Sequence, residues 1–173
     1  MTLIQLLEAG CWSFGASACC AVYFNAEKKD IVFGAVLGSI GWVVFAAFKA
    51  GGGAEAFGYF AGAFAAAGAA EFLAVVMRRP ATVYLVPGII PLVPGGGIFY
   101  MMRAAVRGEF PEALSAGYGA LAAAVAMALG IAIASSTARI ITLAVKGKFR
   151  NGKRAAKHMV YFPEDVDNQG HTG

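Results

Sequence analysis

Val83-Tyr84-Leu85-Val86-Pro87-Gly88-Ile89-Ile90-Pro91-Leu92-Val93-Pro94-Gly95-Gly96-Gly97-Ile98 is the stretch on which the reading of this chain turns. It lies in an apolar run long enough for a membrane, yet three prolines and a triple glycine interrupt it. Each proline removes a backbone N–H and steers its predecessor toward extended geometry, so Val86, Ile90 and Val93 are expected to be extended and a continuous helix is excluded. Lipid does not tolerate unsatisfied backbone, so such a break must face other helices or a water-filled cavity. A new helix starting near Gly95 would aim bare N–H groups and a positive dipole end into that cavity, an arrangement suited to a carboxylate or phosphate. Pro91, Pro94, Gly95, Gly96 and Gly97 are therefore the candidate substrate-binding residues, with Arg103, two turns further on, as an added source of positive potential or an interfacial anchor.

The surroundings of the break fit a membrane. Of the 173 residues, 59% are hydrophobic and 14% charged, with a mean hydropathy of +0.67, well to the membrane side of globular usage. Apolar runs recur near 2–24, 31–48, 54–77, 82–106 and 113–145, each near or above the roughly 18–20 residues that span a bilayer. The expectation is an all-α polytopic membrane protein of about five transmembrane segments, the fourth broken. Residues 1–145 form the membrane module and 146–173 a basic, then polar, tail. The first run carries Glu8 and no basic residue ahead of its apolar core, so it reads as a retained helix and not as a signal peptide.

Basic residues set the topology. Lys28 and Lys29 follow the first run, Arg78 and Arg79 the third, and Lys146, Lys148, Arg150, Lys153, Arg154 and Lys157 the fifth. The opposite connections carry Lys49, and Arg107 with Glu109. Five crossings put the basic clusters on one side, which the positive-inside tendency makes cytoplasmic, leaving the N-terminus outside. That count favours a full crossing by 82–106 over a re-entrant loop. The basic tail suits anionic lipid, and nothing aromatic is interleaved with it to suggest nucleic acid.

Small residues at i, i+4 spacing, Gly34 with Gly38 and Gly58 with Gly62, extended by Ala65, Gly68 and Ala69, predict close helix packing within the chain or with a second subunit. Glu71 and Arg139 each precede a basic cluster by seven residues, about 10 Å inside the membrane edge. They are candidates for an ion pair or for coupling chemistry such as proton transfer. Ser135, Ser136 and Thr137 either line the path or back-bond to their own helix. Cys11, Cys19 and Cys20 read as small apolar helix residues, and His158 and His171 have no partner at ligand spacing, so no metal or cofactor is indicated. No nucleophile triad, zinc motif or aspartate pair lies in the spans, which argues against an enzyme.

Asn25 with its short loop, Leu37-Gly38-Ser39-Ile40-Gly41, Ile90-Pro91-Leu92-Val93-Pro94-Gly95 and Tyr100-Met101-Met102 resemble the threonine/serine exporter family. The likeness is to its short membrane module, which occurs as a small subunit or as the C-terminal half of fused exporters. The resemblance covers roughly residues 5–145. It implies secondary export of small carboxylates (threonine, serine or a dicarboxylate such as succinate) across a bacterial inner membrane, with a larger partner subunit of the same family. A homo-oligomeric channel for a small solute is the competing reading, since the glycine-rich faces permit it.

Overall fold

The computed structural model describes the backbone of residues 3–160 and the side-chain surroundings of residues 4–142. The polar end of the tail, including Glu164 to Asp167, and the side chains of the basic cluster after Val145 lie outside the described residues. Six helices follow one another: α1 (Leu3–Tyr23), α2 (Lys28–Ala50), α3 (Glu55–Met77), α4 (Thr82–Ile89), α5 (Gly95–Val106) and α6 (Phe110–Val160), with a 3-10 turn at Ile90–Leu92 between α4 and α5. By contacts the chain divides into residues 1–138 and 139–173. Within the second unit, Arg139, Ile140 and Ile141 are helical and exposed.

Helix ends follow local chemistry. Asn25, at φ 56°, closes α1 in the left-handed region that asparagine tolerates. Arg78, at φ 54°, ends α3, and the Arg79 N–H reaches back to the Ala74 carbonyl at 3.1 Å in a Schellman-type closure. Pro80 then prevents continuation. Gly52 and Gly108, both at φ 77°, turn the chain after α2 and α5.

In the first unit α2 is the hub, touching α1, α3, α4 and the 3-10 turn. Glycine makes this possible. A Cβ on Gly62 would stand 2.6 Å from the Gly41 carbonyl oxygen, so α2 and α3 meet backbone to backbone. Along the same stripe of α2, one or two turns earlier, Pro87 rests on Gly34 and Gly88 faces Leu37. The packed ridge of α3 is Gly58, Gly62, Ala66, Ala70 and Ala74, all buried. Gly34, Gly38, Gly58 and Gly62 thus lie on packing faces as their spacing predicted. Gly68 meets open space, and Ala65 is half-buried, because the i+4 ridge from Gly58 continues through Ala66.

Two of the largest fully buried side chains, Tyr84 and Leu92, belong to the interrupted segment; the third is Ser17. Leu92 drops from the 3-10 turn into a cluster with Phe45 and Ala63, against which Met127 and Ile131 of α6 pack. Beyond it, Gly97 meets Ala120 and Met101 meets Gly117, so α5 and the start of α6 form an antiparallel hairpin. Further along, Gly130 lies against the Phe60 carbonyl of α3.

The expected extended geometry is found at one of its three positions. Val93 has ψ 125°, but Val86 is inside α4 and Ile90 is helical at φ −52°, ψ −45°. Pro87 leaves the Val83 carbonyl without its helical donor, yet α4 carries through because the pyrrolidine ring finds room on Gly34. Pro91 sits at the start of the 3-10 turn, where a missing N–H costs nothing. The segment bends by 46° between Leu92 and Gly95.

Three helices, α2, α3 and α6 up to Thr142, are long and apolar enough to cross a membrane, and the bent pair makes up to four. The expected count of about five is therefore met only in part: α1, with 21 residues, is diluted by Gln5, Glu8, Ser13 and Ser17. Outward faces are apolar, with Trp12 75% and Val106 90% exposed, as lipid contact requires.

Gly38 supplies a test of the packing. A Cβ there would stand 1.9 Å from Ser17 Oγ and 2.8 Å from Ser17 Cβ. Gly38→Ala should lower the melting temperature of detergent-purified protein by the equivalent of about 1–3 kcal/mol. Gly68→Ala should be neutral or stabilising by up to about 1 kcal/mol. Matching melting temperatures for the two variants would mean that α1 and α2 do not approach as described.

Candidate functional site

α5 begins at Gly95, as the sequence suggested, with Pro94 at its N-cap and no side-chain cap. The first helical bond runs from the Ile98 N–H to the Pro94 carbonyl at 3.3 Å, and the Gly95 N–H turns back to the Val93 carbonyl at 2.7 Å. The N–H groups of Gly96 and Gly97, at the second and third helical positions, precede any intrahelical acceptor. Gly95 and Gly96 are open, with nothing within 4 Å of the position a Cβ would take, whereas a Cβ on Gly97 would press on Ala120 at 3.0 Å. The triple glycine thus divides into two exposed positions and one packing position.

Pro94 and Gly97 line a cavity of about 270 Å³ together with Glu55 and Tyr59 of α3 and Ala116, Gly119, Ala120 and Ala123 of α6. This is near the lower bound, about 300 Å³, of small-molecule sites. Glu55 is exposed and ion-paired with Lys49 at 3.2 Å, so the rim brings both charge signs. A larger groove of about 560 Å³ between α3 and α6 is lined by Phe57, Phe60, Tyr118, Leu121, Val125 and Leu129 and by no charged group. Its chemistry suits an acyl chain.

Arg103 is exposed near the far end of α5, about 12 Å along the axis from Gly95, and does not line the cavity. There it complements the helix C-terminus. Pro91 is set back in the 3-10 turn beside Gly38. Glu71 is half-buried on α3, in the first unit, and Arg139 opens the second. Thr137 donates to the Ile133 carbonyl at 2.8 Å, the back-bonding alternative.

A polar cluster lies at the other end of α4. Asp30, 4% exposed, is the buried charged residue among those described. Its Oδ1 accepts the Tyr84 hydroxyl at 2.7 Å, and its Oδ2 faces Arg79 Nη1 at 3.0 Å. Arg79 Nη2 pairs with the exposed Glu27. The Arg79 guanidinium holds the Glu27 carboxyl below its usual range, and Glu27 raises Arg79 in turn. The cluster joins the α1–α2 and α3–α4 connections, so the basic residues grouped from sequence at these two turns share one end of the bundle. Asp30 escapes a reading of the sequence because its partners lie 49 and 54 positions away and because it closes the charged stretch Glu27-Lys28-Lys29-Asp30, where an acid looks like an ordinary solvated loop residue.

Ser17 forms a second unusual point: its hydroxyl is fully buried and has no hydrogen-bond partner.

Arg79→Gln should leave the enclosed Asp30 carboxyl without its cation and lower the melting temperature. Adding Asp30→Asn should recover part of the loss; strictly additive losses in thermal melts would separate the two residues. The Glu27 contribution has the opposite dependence from a base. Because its folded-state value is depressed, it is complete at neutral pH and disappears as the pH falls below about 4. Because the pair is exposed the effect is small: Glu27→Gln should make the acid limb of the melting-temperature profile slightly shallower while leaving its shape above pH 6 unchanged.

The family described as the threonine/serine exporter ThrE matches residues 9–137. Its span starts within α1, takes in both halves of the bent segment with the cavity and the Asp30 cluster, and ends on α6 at the limit of the first unit. No significant match exists among curated proteins or solved structures. With three quarters of its length inside that match and an all-helical apolar architecture interrupted at Pro87–Gly97, the chain belongs to the threonine/serine exporter family.

Proposed function

We propose that this chain is a membrane subunit of a secondary exporter of small carboxylates, with its substrate site at the start of α5. The observation that carries the reading is the uncapped helix start at Gly95 beside a cavity that also holds Glu55 and Tyr59. The N–H groups of Gly96 and Gly97 receive the carboxylate, and Gly95 and Gly96 leave room for it to approach the backbone. Glu55 offers an α-ammonium group a partner that a dicarboxylate lacks, which supports threonine or serine over succinate.

In this reading the protein sits in a bacterial inner membrane as five crossings, α4 with α5 forming the fourth and α1 the first. The N-terminus is outside and the basic end cytoplasmic. The direction of the chain supports a crossing over a re-entrant loop: α4 starts beside Arg79, Leu92 lies at the level of Gly62, and α5 leads on from Tyr59 and Glu55. A larger subunit of the same family completes the path, protons drive export, and Glu71 with Arg139 serves as an ion pair or coupling group. The basic tail binds anionic lipid.

Gly96→Leu fills the proposed site and meets no neighbour, so the variant should reach wild-type level, associate with its partner subunit and lose export. Pro94→Ala loosens the break without filling it and should be milder. Efflux of preloaded radiolabelled threonine, serine and succinate from cells co-expressing both subunits measures this; wild-type efflux of all three by well-expressed Gly96→Leu would leave the break a structural kink. In the same assay Glu55→Gln should slow threonine more than succinate. Orientation is checked separately: in a Cys-free background, a thiol at position 28 should resist an impermeant reagent added outside and one at 109 should react.

A further inference from the structure

The guanidinium of Arg79 is held in a way that a structural tie does not require. Its Nη1 stands 3.0 Å from Oδ2 of the buried Asp30 as an ion contact, and the other oxygen of Asp30 accepts the hydroxyl of the fully buried Tyr84 at 2.7 Å. On this inner side the carboxylate is enclosed and anchored through Tyr84. The outer half is different: Nη2 points to the surface, where it meets the carboxylate of Glu27, a side chain 64% exposed. A pair so exposed contributes little to stability, since water and salt compete for both partners. A planar fork pre-oriented on one side and presented outward on the other is the arrangement that captures a carboxylate with directional hydrogen bonds.

We propose that Arg79 is a carboxylate-capture site at the basic end of the bundle, and that Glu27 occupies it as an intramolecular stand-in for the carboxylate of a small solute. Only the choice of ligand class rests on the exporter reading. An arriving carboxylate exchanges with Glu27 on Nη2, while Asp30 keeps Nη1 and the side chain stays in place. The exchange is selective because the two carboxylates differ in burial. Asp30 is enclosed and tied to Tyr84, so its departure would strand a buried charge. Glu27 departs into solvent.

The position gives the exchange a consequence. Glu27 precedes α2 directly and Arg79 lies three residues before α4. Release of Glu27 removes one tie between the α1–α2 and α3–α4 connections and leaves the foot of α4 held by the Asp30–Tyr84 bond and by the packing of Tyr84 against Leu37, Ala70 and Ala74. Among the described residues the other charged groups beside this cluster are Lys28, Lys29 and Arg78, all exposed, which raise the local concentration of anions without fixing their orientation.

The test is ligand binding to the purified full-length chain, followed by the shift in tryptophan-monitored melting with sodium succinate and with L-threonine against sodium chloride of equal ionic strength. Glu27→Gln keeps the shape of the side chain and removes its charge. It should lower the half-saturating carboxylate concentration three- to tenfold, and Arg79→Lys, which keeps the charge and loses the fork, should raise it by a similar factor. Arg78→Gln should leave it within twofold. An unchanged midpoint in Glu27→Gln overturns the proposal, as does an Arg78→Gln effect as large as that of Arg79→Lys, which would mean anion accumulation without a site. If Arg79→Lys does not fold, Glu27→Gln and Arg78→Gln decide alone. Failure of reconstituted wild-type protein, with its partner, to move any carboxylate would count against the exporter reading and leave this result standing.

Discussion

The seating of Tyr84 and Leu92 in the groove beside α2 is the constraint on which the rest of the structure depends. A segment with three prolines in eight positions has too few internal hydrogen bonds to hold its own shape, so tertiary contacts must fix it. Tyr84 fixes one end by burial and through Asp30, and Leu92 fixes the other among Phe45 and Ala63. Between these anchors Gly34 receives the ring of Pro87 and Gly88 lies against Leu37. With both ends pinned, the chain can bend by 46° and start α5 at a defined place. Without the glycines on α2 neither anchor would reach its pocket, and the start of α5 would have no fixed position.

This division of labour explains the composition of the core. Apart from the anchors the buried residues are mostly alanine and glycine, which gain little from burial in a medium already apolar but allow backbones to approach closely. Bulky side chains such as Phe72, Val75 and Leu121 face outward, where lipid accepts them. The polar groups that remain inside are few, and each is placed: Ser39 binds the Gly10 carbonyl across α1 and α2 at 2.9 Å, and Asp30 is enclosed by Tyr84 and Arg79. The exceptions among the described residues are Asp30 Oδ2, which has the Arg79 ion contact but no hydrogen bond, and the Ser17 hydroxyl, which sits beside Gly38, itself in touch with Pro91.

Local signals were legible in the sequence because their causes are local. Three prolines and a triple glycine locate a break whatever surrounds them, and Gly95 starts a helix for the same reason. Pairs of glycines four apart mark a face, and basic residues at alternate turns mark an end. What the sequence did not show depends on contact across the fold. Val86 and Ile90 stay helical because Gly34 makes room for a ring. Gly97 belongs to packing and Gly96 to open space because Ala120 stands opposite one of them. Asp30 could not be matched to Arg79 and Tyr84 from spacing alone, and that Ser17 of α1 would be buried against Gly38 of α2 is likewise not written in either segment.

The two ends of the interrupted segment also differ in how they can change. At Gly95 the free groups are backbone N–H dipoles, fixed by the helix and without a rotamer to alter, so they can hold a carboxylate but cannot release it by moving. Release there requires α5 to shift as a body, and α5 is held chiefly by the hairpin with α6, through Gly97 and Met101. At Arg79 the free groups are on a long side chain whose outer partner is exposed, so exchange needs no helix to move. On the proposed reading, a rigid site in the middle of the path and an exchangeable one at its end would let cargo be taken up before a helix is committed to motion. The 46° bend between Leu92 and Gly95 therefore separates a part anchored directly in the core by Leu92 from α5, whose hold on the core runs through α6 by way of Met127, Ile131 and Gly130.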